Sequence, residues 1–192
     1  MKYLASILLL SAALLASCSD DSSSDNNGNN NTNTGTYMPQ SAGSTWFYHS
    51  YSDTLTRGVS GTYSFNGMTF AKIDDRLHTT YVRQSGSSYY TLSLDGLDFR
   101  EVKIAESTTN ATWVDTLIGN GFIQLTTYKT VGTGLSASVN GKTYSDVMHV
   151  HVETASSGTS TPSDYYYAKG VGQILDIENG DTVESLVSYT IK

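Results

Sequence analysis

Beyond residue 36, short runs of alternating apolar and polar side chains follow one another, and turn residues separate them. Alternation with a period of two predicts β-strands that bury one face. Asn66-Gly67, Asp95-Gly96 and Asn140-Gly141 are strong hairpin signals, because both central residues of a type I′ turn need positive φ. Ten or more strands at this spacing predict an all-β fold, a single antiparallel meander domain built as a barrel, a half-barrel or a sandwich.

Two regular strands near the end of the chain indicate which side chains face the core, because alternate residues of a strand lie on one face. The side chains expected to face inward are Met148, Val150, Val152, Val187, Tyr189 and Ile191. Val147 and Leu186 fall on the opposite faces of these strands. Trp46 and Trp113 are expected in the core.

The first residues carry a targeting signal. Residues 3–15 are almost entirely apolar, too few to span a bilayer but typical of a secretory signal peptide. They end in Leu15-Ala16-Ser17-Cys18, which resembles the bacterial lipobox. The resemblance implies a signal peptide of residues 1–17, cleavage before Cys18, and acylation of Cys18 with chains such as palmitate. The alternative is an ordinary signal peptide or an anchor helix with an incidental cysteine.

A tether follows the predicted lipidation site. Residues 19–36 contain no aliphatic or aromatic side chain, so nothing offsets the entropy of ordering them. We therefore expect residues 18–36 to be the lipidated cysteine with a flexible, disordered tether, and residues 37–192 to be the all-β domain. Ser19 replaces the Asp of the known inner-membrane retention signal, and Asp20-Asp21 resembles the surface-export signal of Bacteroidetes lipoproteins. The expected location is the outer membrane, facing the periplasm or the cell surface.

Charge and cysteine count narrow the function classes. The chain has 11 Lys+Arg against 18 Asp+Glu, a net charge of −7, which argues against nucleic acid as a partner. The single cysteine excludes an internal disulfide and any cysteine-rich metal site. The expected partners are the membrane, through the lipid anchor, and envelope proteins or glycans. No cofactor is expected.

The sharpest catalytic or metal candidates are His149, His151 and Glu153, which alternate along one strand face. Two imidazoles and a carboxylate are the donors that zinc uses. The alternative, which we favour, is the polar face of an amphipathic strand, so no metal site is predicted. The sequence has no nucleophile elbow, no Ser-x-x-Lys, no phosphate loop and no dinucleotide fingerprint. We therefore expect a non-enzymatic protein.

A run of aromatic residues offers a possible ligand surface at Tyr165, Tyr166 and Tyr167, because exposed aromatic rings stack on sugars and partner proteins. The alternative is that tyrosines are strong strand formers that fill a thin core.

Three Asp-Thr-aliphatic tripeptides resemble the O-glycosylation acceptor of Bacteroidetes extracytoplasmic proteins. The acceptor residues would be Thr54, Thr116 and Thr182. Asp-Thr is also a common way to leave a turn and begin a strand.

Three stretches resemble motifs of uncharacterised Bacteroidetes lipoproteins. They are the opening Tyr37-Met38-Pro39-Gln40-Ser41-Ala42-Gly43-Ser44-Thr45-Trp46-Phe47-Tyr48, the segment Asn140-Gly141-Lys142-Thr143-Tyr144-Ser145-Asp146-Val147, and the closing Tyr166-Tyr167-Ala168-Lys169-Gly170-Val171-Gly172-Gln173-Ile174. The resemblance implies an exported, single-domain β protein and no particular activity. From the residues themselves, Gly170 and Gly172 predict a bulge or a close backbone approach.

Together these features predict a non-enzymatic cell-envelope lipoprotein that acts as a binding or scaffolding module through its loops or an open β face. Three alternatives stay open. One is a periplasmic carrier or sensor with an apolar pocket inside a half-open barrel, and another is a glycan-binding accessory protein with an aromatic platform. The last is a metal-dependent hydrolase that uses His149 and His151.

Overall fold

The structure is a computed structural model that describes residues 35–51, 53–95, 98–119 and 122–192. Within these ranges the chain forms 12 β-strands and no α-helix. In chain order the strands are β1 (Thr45–Ser50), β2 (Asp53–Phe65), β3 (Met68–Asp74), β4 (Thr79–Ser85), β5 (Ser88–Asp95), β6 (Asp98–Glu106), β7 (Thr112–Gly119), β8 (Phe122–Val139), β9 (Lys142–Ser156), β10 (Thr159–Ala168), β11 (Gly172–Glu178) and β12 (Asp181–Thr190). The predicted all-β fold is confirmed.

Some predicted features lie outside the described residues: the signal peptide, Cys18, the tether up to residue 34, and Gly96 of the second predicted turn. In the part of the chain that the structure describes, no helix has the length and apolar character needed to cross a membrane.

All 12 strands form one antiparallel sheet in the order β6-β5-β4-β3-β2-β1-β12-β11-β10-β9-β8-β7. Every neighbouring pair is consecutive in the chain except β1 and β12, the first and last strands. The sheet curls into a nearly closed barrel. The predicted meander is therefore confirmed in its barrel form.

The break in the barrel lies between β6 and β7, the two ends of the sheet order. Both terminal guanidinium nitrogens of Arg100 on β6 donate to the carboxylate oxygens of Asp115 on β7, each at 2.6 Å. Trp113 Nε1 on β7 donates to the Lys103 carbonyl oxygen on β6 at 2.8 Å. A bidentate guanidinium–carboxylate pair fixes orientation as well as distance. Side chains therefore link the two strands at which the sheet order ends.

The turns alternate between the two ends of the barrel, because consecutive strands run in opposite directions. The turns after β2, β4, β6, β8 and β10 lie at one end, where residues 36–44 also lead into β1. We call this the plugged end. The turns after the odd-numbered strands lie at the other end, which we call the open end.

Among the described residues, four two-residue turns have both central residues at positive φ, as type I′ hairpins require. Asn66-Gly67 (φ 49° and 75°) and Asn140-Gly141 (50° and 77°) confirm two predictions. Asn179-Gly180 (53° and 87°) connects the last two strands. The turn at Ser157-Gly158 (51° and 83°) was not predicted. It joins β9 to β10, which begins at Thr159, before the aromatic run that starts at Tyr165.

The predicted inward face of β9 is confirmed for Met148, Val150 and Val152, all of which are buried. The prediction that Val147 faces the other side is wrong, because its side chain is fully buried. Asp146 adopts a φ of 53°, and the β8–β9 register is irregular at this point. Such an irregularity changes the alternation, so two consecutive side chains both reach the core.

The predicted inward face of β12 is partly wrong. Val187 is 45% exposed, whereas Leu186 is buried in the core, in the cluster that contains Trp46 and Ile174. The register with β1 shifts at this point, and Val187 is the extra residue of a bulge. Beyond the bulge, Tyr189 and Ile191 pack against the core as expected.

Two clusters of buried side chains form the core, one around Trp46 and Ile174 and one around Met148. Trp46 lies in the core as predicted. Trp113 is only half-buried, so its prediction as a core residue is wrong. Its ring stacks on Tyr128 with centroids 5.4 Å apart, beside the break between β6 and β7.

Candidate binding cavity

A cavity of about 420 Å³ lies between strands from both halves of the sheet order. Most of its wall is apolar or aromatic. The cavity is lined by Met38, Pro39, Trp46, Tyr48, Arg57, Ile73, Thr80, Val82, Ile104, Tyr165, Tyr167, Gly172, Gln173 and Asp176. Thr80, at the open-end start of β4, is exposed, so the cavity communicates with solvent on that side.

Residues 36–39, which we call the plug, form the floor of the cavity. The plug is buried, although Thr36 is the last residue of the predicted tether. The Tyr37 amide N–H donates to the Tyr89 hydroxyl oxygen at 3.1 Å, and the Gly170 amide donates to the Thr36 carbonyl oxygen at 2.7 Å. Met38 and Pro39 then face the cavity. The plug is thus anchored on opposite sides of the barrel.

Asp146, the residue at positive φ in β9, holds the plug in a second way. The Tyr37 hydroxyl donates to Asp146 Oδ1 at 2.9 Å, and Lys169 Nζ lies 3.4 Å from Asp146 Oδ2. Burial, followed by the nearby Asp146 carboxylate, raises the pKa of Tyr37 to about 12. The Tyr37 hydroxyl therefore stays protonated and remains a donor.

The three stretches that resemble lipoprotein motifs meet at this end of the barrel. Trp46 Nε1 donates to the Val171 carbonyl oxygen at 2.6 Å, and the Tyr48 hydroxyl donates to the Gln173 carbonyl oxygen at 3.0 Å. Asp146 belongs to the middle stretch and contacts the other two. In this chain the motifs build the plugged end and the cavity floor.

Gly172 makes the close approach that its sequence predicted. Its φ is 109°, and a Cβ there would lie 3.1 Å from Trp46 Nε1 and 3.5 Å from the Pro39 ring. A side chain at this position would be strained and would press on the indole. The β10–β11 register also shifts next to this turn, at Tyr166 and Tyr167.

The cation of the cavity, Arg57, is already paired. Its Nη2 lies 2.7 Å from Glu184 Oε1, and its Nε lies 4.0 Å from Asp75 Oδ2. Burial opposes ionisation of Asp75, but hydrogen bonds from the backbone N–H groups of Leu77 and His78 lower its pKa overall. The guanidinium is therefore held between two carboxylates near the open end.

Asp176 is a third carboxylate in this region, and it lines the cavity. Burial, and then the charge of Glu184, raise its pKa to about 6, and Arg57 opposes this shift. Within the described residues, no hydrogen bond to the Asp176 carboxylate contributes to its pKa. This group is thus half-buried without a dedicated counter-ion.

The three tyrosines of the predicted aromatic surface do not share one face. Tyr165 and Tyr167 line the cavity, with ring centroids 6.5 Å apart. Burial raises the pKa of both hydroxyls. Tyr166 instead stacks on His149, with centroids 4.4 Å apart and planes 10° apart. Two of the three are therefore placed to contact a molecule in the barrel.

His149 and His151 meet around an aspartate that the sequence did not associate with them. His149 Nε2 and His151 Nδ1 lie 2.6 and 2.9 Å from Asp164 Oδ1. Burial opposes ionisation of Asp164, but hydrogen bonding to the two imidazoles lowers its pKa overall. Glu153 accepts a hydrogen bond from Ser160 instead. Over residues 35–51, 53–95, 98–119 and 122–192, no group of three His, Cys, Asp or Glu side chains is arranged to hold a metal ion.

The three predicted glycosylation acceptors are all exposed. Thr54 and Thr182 lie at the open-end starts of β2 and β12, and Thr116 lies within β7.

Sequence reasoning missed the polar groups of the cavity. Arg57 and Asp176 lie among apolar and small residues of strands, as in Ile174-Leu175-Asp176-Ile177. A charged residue in an otherwise apolar strand segment was the available signal, because such a residue must be paired or face a cavity.

No protein-family model matches the chain, and no curated protein matches it. Among solved structures, it is similar to a crystal structure described as a "putative lipoprotein" from Parabacteroides distasonis. The two share 9% sequence identity with a TM-score of 0.47, and the match covers 80% of this chain and 98% of the other.

Proposed function

We propose that this chain is a lipid-anchored cell-envelope protein that binds a small, mostly apolar molecule in its barrel and performs no catalysis. The observation that carries the proposal is the cavity of about 420 Å³. Ligand pockets commonly measure about 300–1,000 Å³, with apolar walls and a few polar groups that orient the ligand. The proposal corresponds to one of the alternatives that the sequence left open, a periplasmic carrier or sensor with an apolar pocket.

The anchoring part of the proposal rests on the lipobox-like residues that end at Cys18. Residues 35–44 lead into the barrel at the plugged end, so a lipid on Cys18 would connect to the domain there. The open end would then be the end from which a ligand enters. Protease digestion of intact cells tests the orientation of the domain: digestion without lysis means that it faces the cell surface, and protection until the outer membrane is broken means that it faces the periplasm.

A second candidate, scaffolding of other envelope proteins, is favoured by a patch on the β7–β8 hairpin. Val114, Ile118, Ile123 and Leu125 are each 45–70% exposed, and the pairing of the two strands places them on one face. Contiguous exposed apolar side chains mark interaction surfaces. A glycan platform is less well supported, because Tyr166 is stacked on His149 and its neighbours line the cavity.

Binding of N-phenyl-1-naphthylamine, a small apolar dye that fluoresces in apolar surroundings, tests the cavity proposal. The chain from Ser19 onward, which contains every strand and both core clusters, is used without acylation. We expect saturable binding with one site. Thr80→Trp places an indole at the exposed entrance and should weaken binding by at least about tenfold, equivalent to about 1.4 kcal/mol.

The matched control is Thr56→Trp, on an exposed position of β2 that does not line the cavity. It should bind the dye as the wild type does. Absence of saturable binding to the wild type, or an equal loss in both variants, would contradict the proposal. Ile118→Lys with Ile123→Lys tests the second candidate, because it should abolish capture of an envelope protein and leave dye binding unchanged.

A further inference from the structure

The charges around the cavity are unbalanced. Arg57 is the sole cationic side chain among the lining residues of the described chain, and it already contacts Glu184 and Asp75. Asp176 adds a third carboxylate and lines the cavity itself. When all three carboxylates are ionised, the group carries two more negative charges than positive ones.

The neighbours of Asp176 do not supply the missing charge. Glu184 is directly opposite it on β12, and Tyr165 is directly opposite it on β10. Glu178, further along β11, adds a repulsive charge, and Arg57 is the cation that attracts it. With a pKa of about 6, the Asp176 carboxylate is ionised at neutral pH. A buried or half-buried charge is costly unless a partner compensates it.

The rest of the cavity matches a molecule with one charged end. Asp176 lies close to the β11–β12 turn at the open end, whereas Met38 and Pro39 form the floor at the plugged end. Between them the wall is provided by aliphatic side chains such as Val82 and Ile104. The Tyr165 ring beside Asp176 offers a face on which a cation can pack.

We propose that the cavity selects molecules with a primary or quaternary ammonium group on an apolar body, and that Asp176 is the counter-ion of that group. The apolar body lies against Val82, Ile104 and the floor, and the ammonium group lies at Asp176 near the open end. This inference rests on the proposed function, since it names the class of ligand for the same cavity.

The test uses three probes that share a ten-carbon chain: decylamine, 1-decanol and decanoate. Each displaces N-phenyl-1-naphthylamine from the chain beginning at Ser19, at pH 7.5 and below its micelle concentration. We expect decylamine to bind at least about tenfold more tightly than decanol, and decanoate to bind most weakly. In Asp176→Asn the advantage of decylamine over decanol should disappear, and decanol should bind at least as tightly as before.

Glu178→Gln is the matched control, because Glu178 is an exposed carboxylate two residues further along β11 that does not line the cavity. It should keep the preference for decylamine. Equal displacement by decylamine and decanol, or tighter binding of decanoate, would overturn this inference and leave the proposed function intact. If neither the dye nor any probe binds, the proposed function fails as well. If Asp176→Asn does not fold, the order of affinities of the three probes for the wild-type chain still tests the inference.

Discussion

We predict that the Asp176 carboxylate makes the folded protein less stable at neutral pH than an uncharged side chain at this position would. Its pKa is raised from 3.8 to about 6, chiefly by burial. A shift of about two pH units corresponds to about 3 kcal/mol, at about 1.36 kcal/mol per unit. The side chain is only half-buried, so water screens part of this, and we expect about 1–2 kcal/mol.

The sign follows from proton linkage. Because the folded pKa lies above the unfolded value, the folded state holds the proton more tightly. The favourable contribution is fully present below pH 3.8 and is lost as pH rises through about 6. Asp176→Asn mimics the protonated form, so it should stabilise the protein at pH 7.5 and have almost no effect at pH 4.

Thermal unfolding at the two pH values measures this difference. For a domain of this size, about 1–2 kcal/mol corresponds to a rise in Tm of roughly 2–8 °C at pH 7.5. Glu178→Gln should change Tm much less, because Glu178 is exposed. Destabilisation by Asp176→Asn at pH 7.5, or an equal gain at both pH values, would refute the assignment of Asp176 as an uncompensated carboxylate. A site that sacrifices stability for binding is a common trade-off.

Three further predictions concern the architecture. Gly172→Ala should destabilise the protein by about 2–4 kcal/mol in urea unfolding, since it adds backbone strain and a contact with the indole; a loss below about 1 kcal/mol would count against that contact. Asp146→Ala removes the acceptor of the Tyr37 hydroxyl, so hydrogen exchange of the plug amides should speed up, and unchanged exchange would show that the plug is held by other contacts. Asp115→Asn breaks the ion pair with Arg100, so amides of β7 should exchange faster than those of β9; equal rates would mean that the pair does not hold the strand.

The hairpins were predictable because their turns encode backbone conformation directly. Asn66-Gly67 and Asn140-Gly141 accept positive φ at little cost, and that alone selects a type I′ turn. The inward face of β9 followed from simple alternation as far as Met148. Such signals are local, and they do not depend on which strands become neighbours.

The errors at Val147 and Val187 have one cause. Both lie at irregularities in strand pairing, where one extra residue reverses the faces. A bulge is defined by the partner strand, and the partner of β12 at the Val187 bulge is β1, at the opposite end of the chain. The prediction that Trp113 lies in the core was wrong for a related reason. Its side chain lies beside the break between β6 and β7, and the position of that break depends on where the barrel does not close.

An apolar pocket inside the barrel was one of the alternatives that the sequence left open, but the sequence could not show where the pocket lies. Arg57 on β2 meets Tyr165 and Asp176, on the neighbouring strands β10 and β11, only because distant parts of the sheet curl around one interior. The glycines of the closing motif were easier to interpret. Gly172 predicts that another group packs closely against the backbone there, even though the sequence does not identify that group as Trp46.

Chemical-shift mapping tests the central claim, that the barrel interior is the binding site, most directly. The methyl groups of the labelled chain are followed while N-phenyl-1-naphthylamine is added. We predict that the methyl signals of Ile73, Val82 and Ile104 move in a saturable way, because these side chains line the cavity. The exposed methyl groups of Ile118 and Ile123 should not move. Shifts confined to Ile118 and Ile123, with the cavity signals unchanged, would contradict the account.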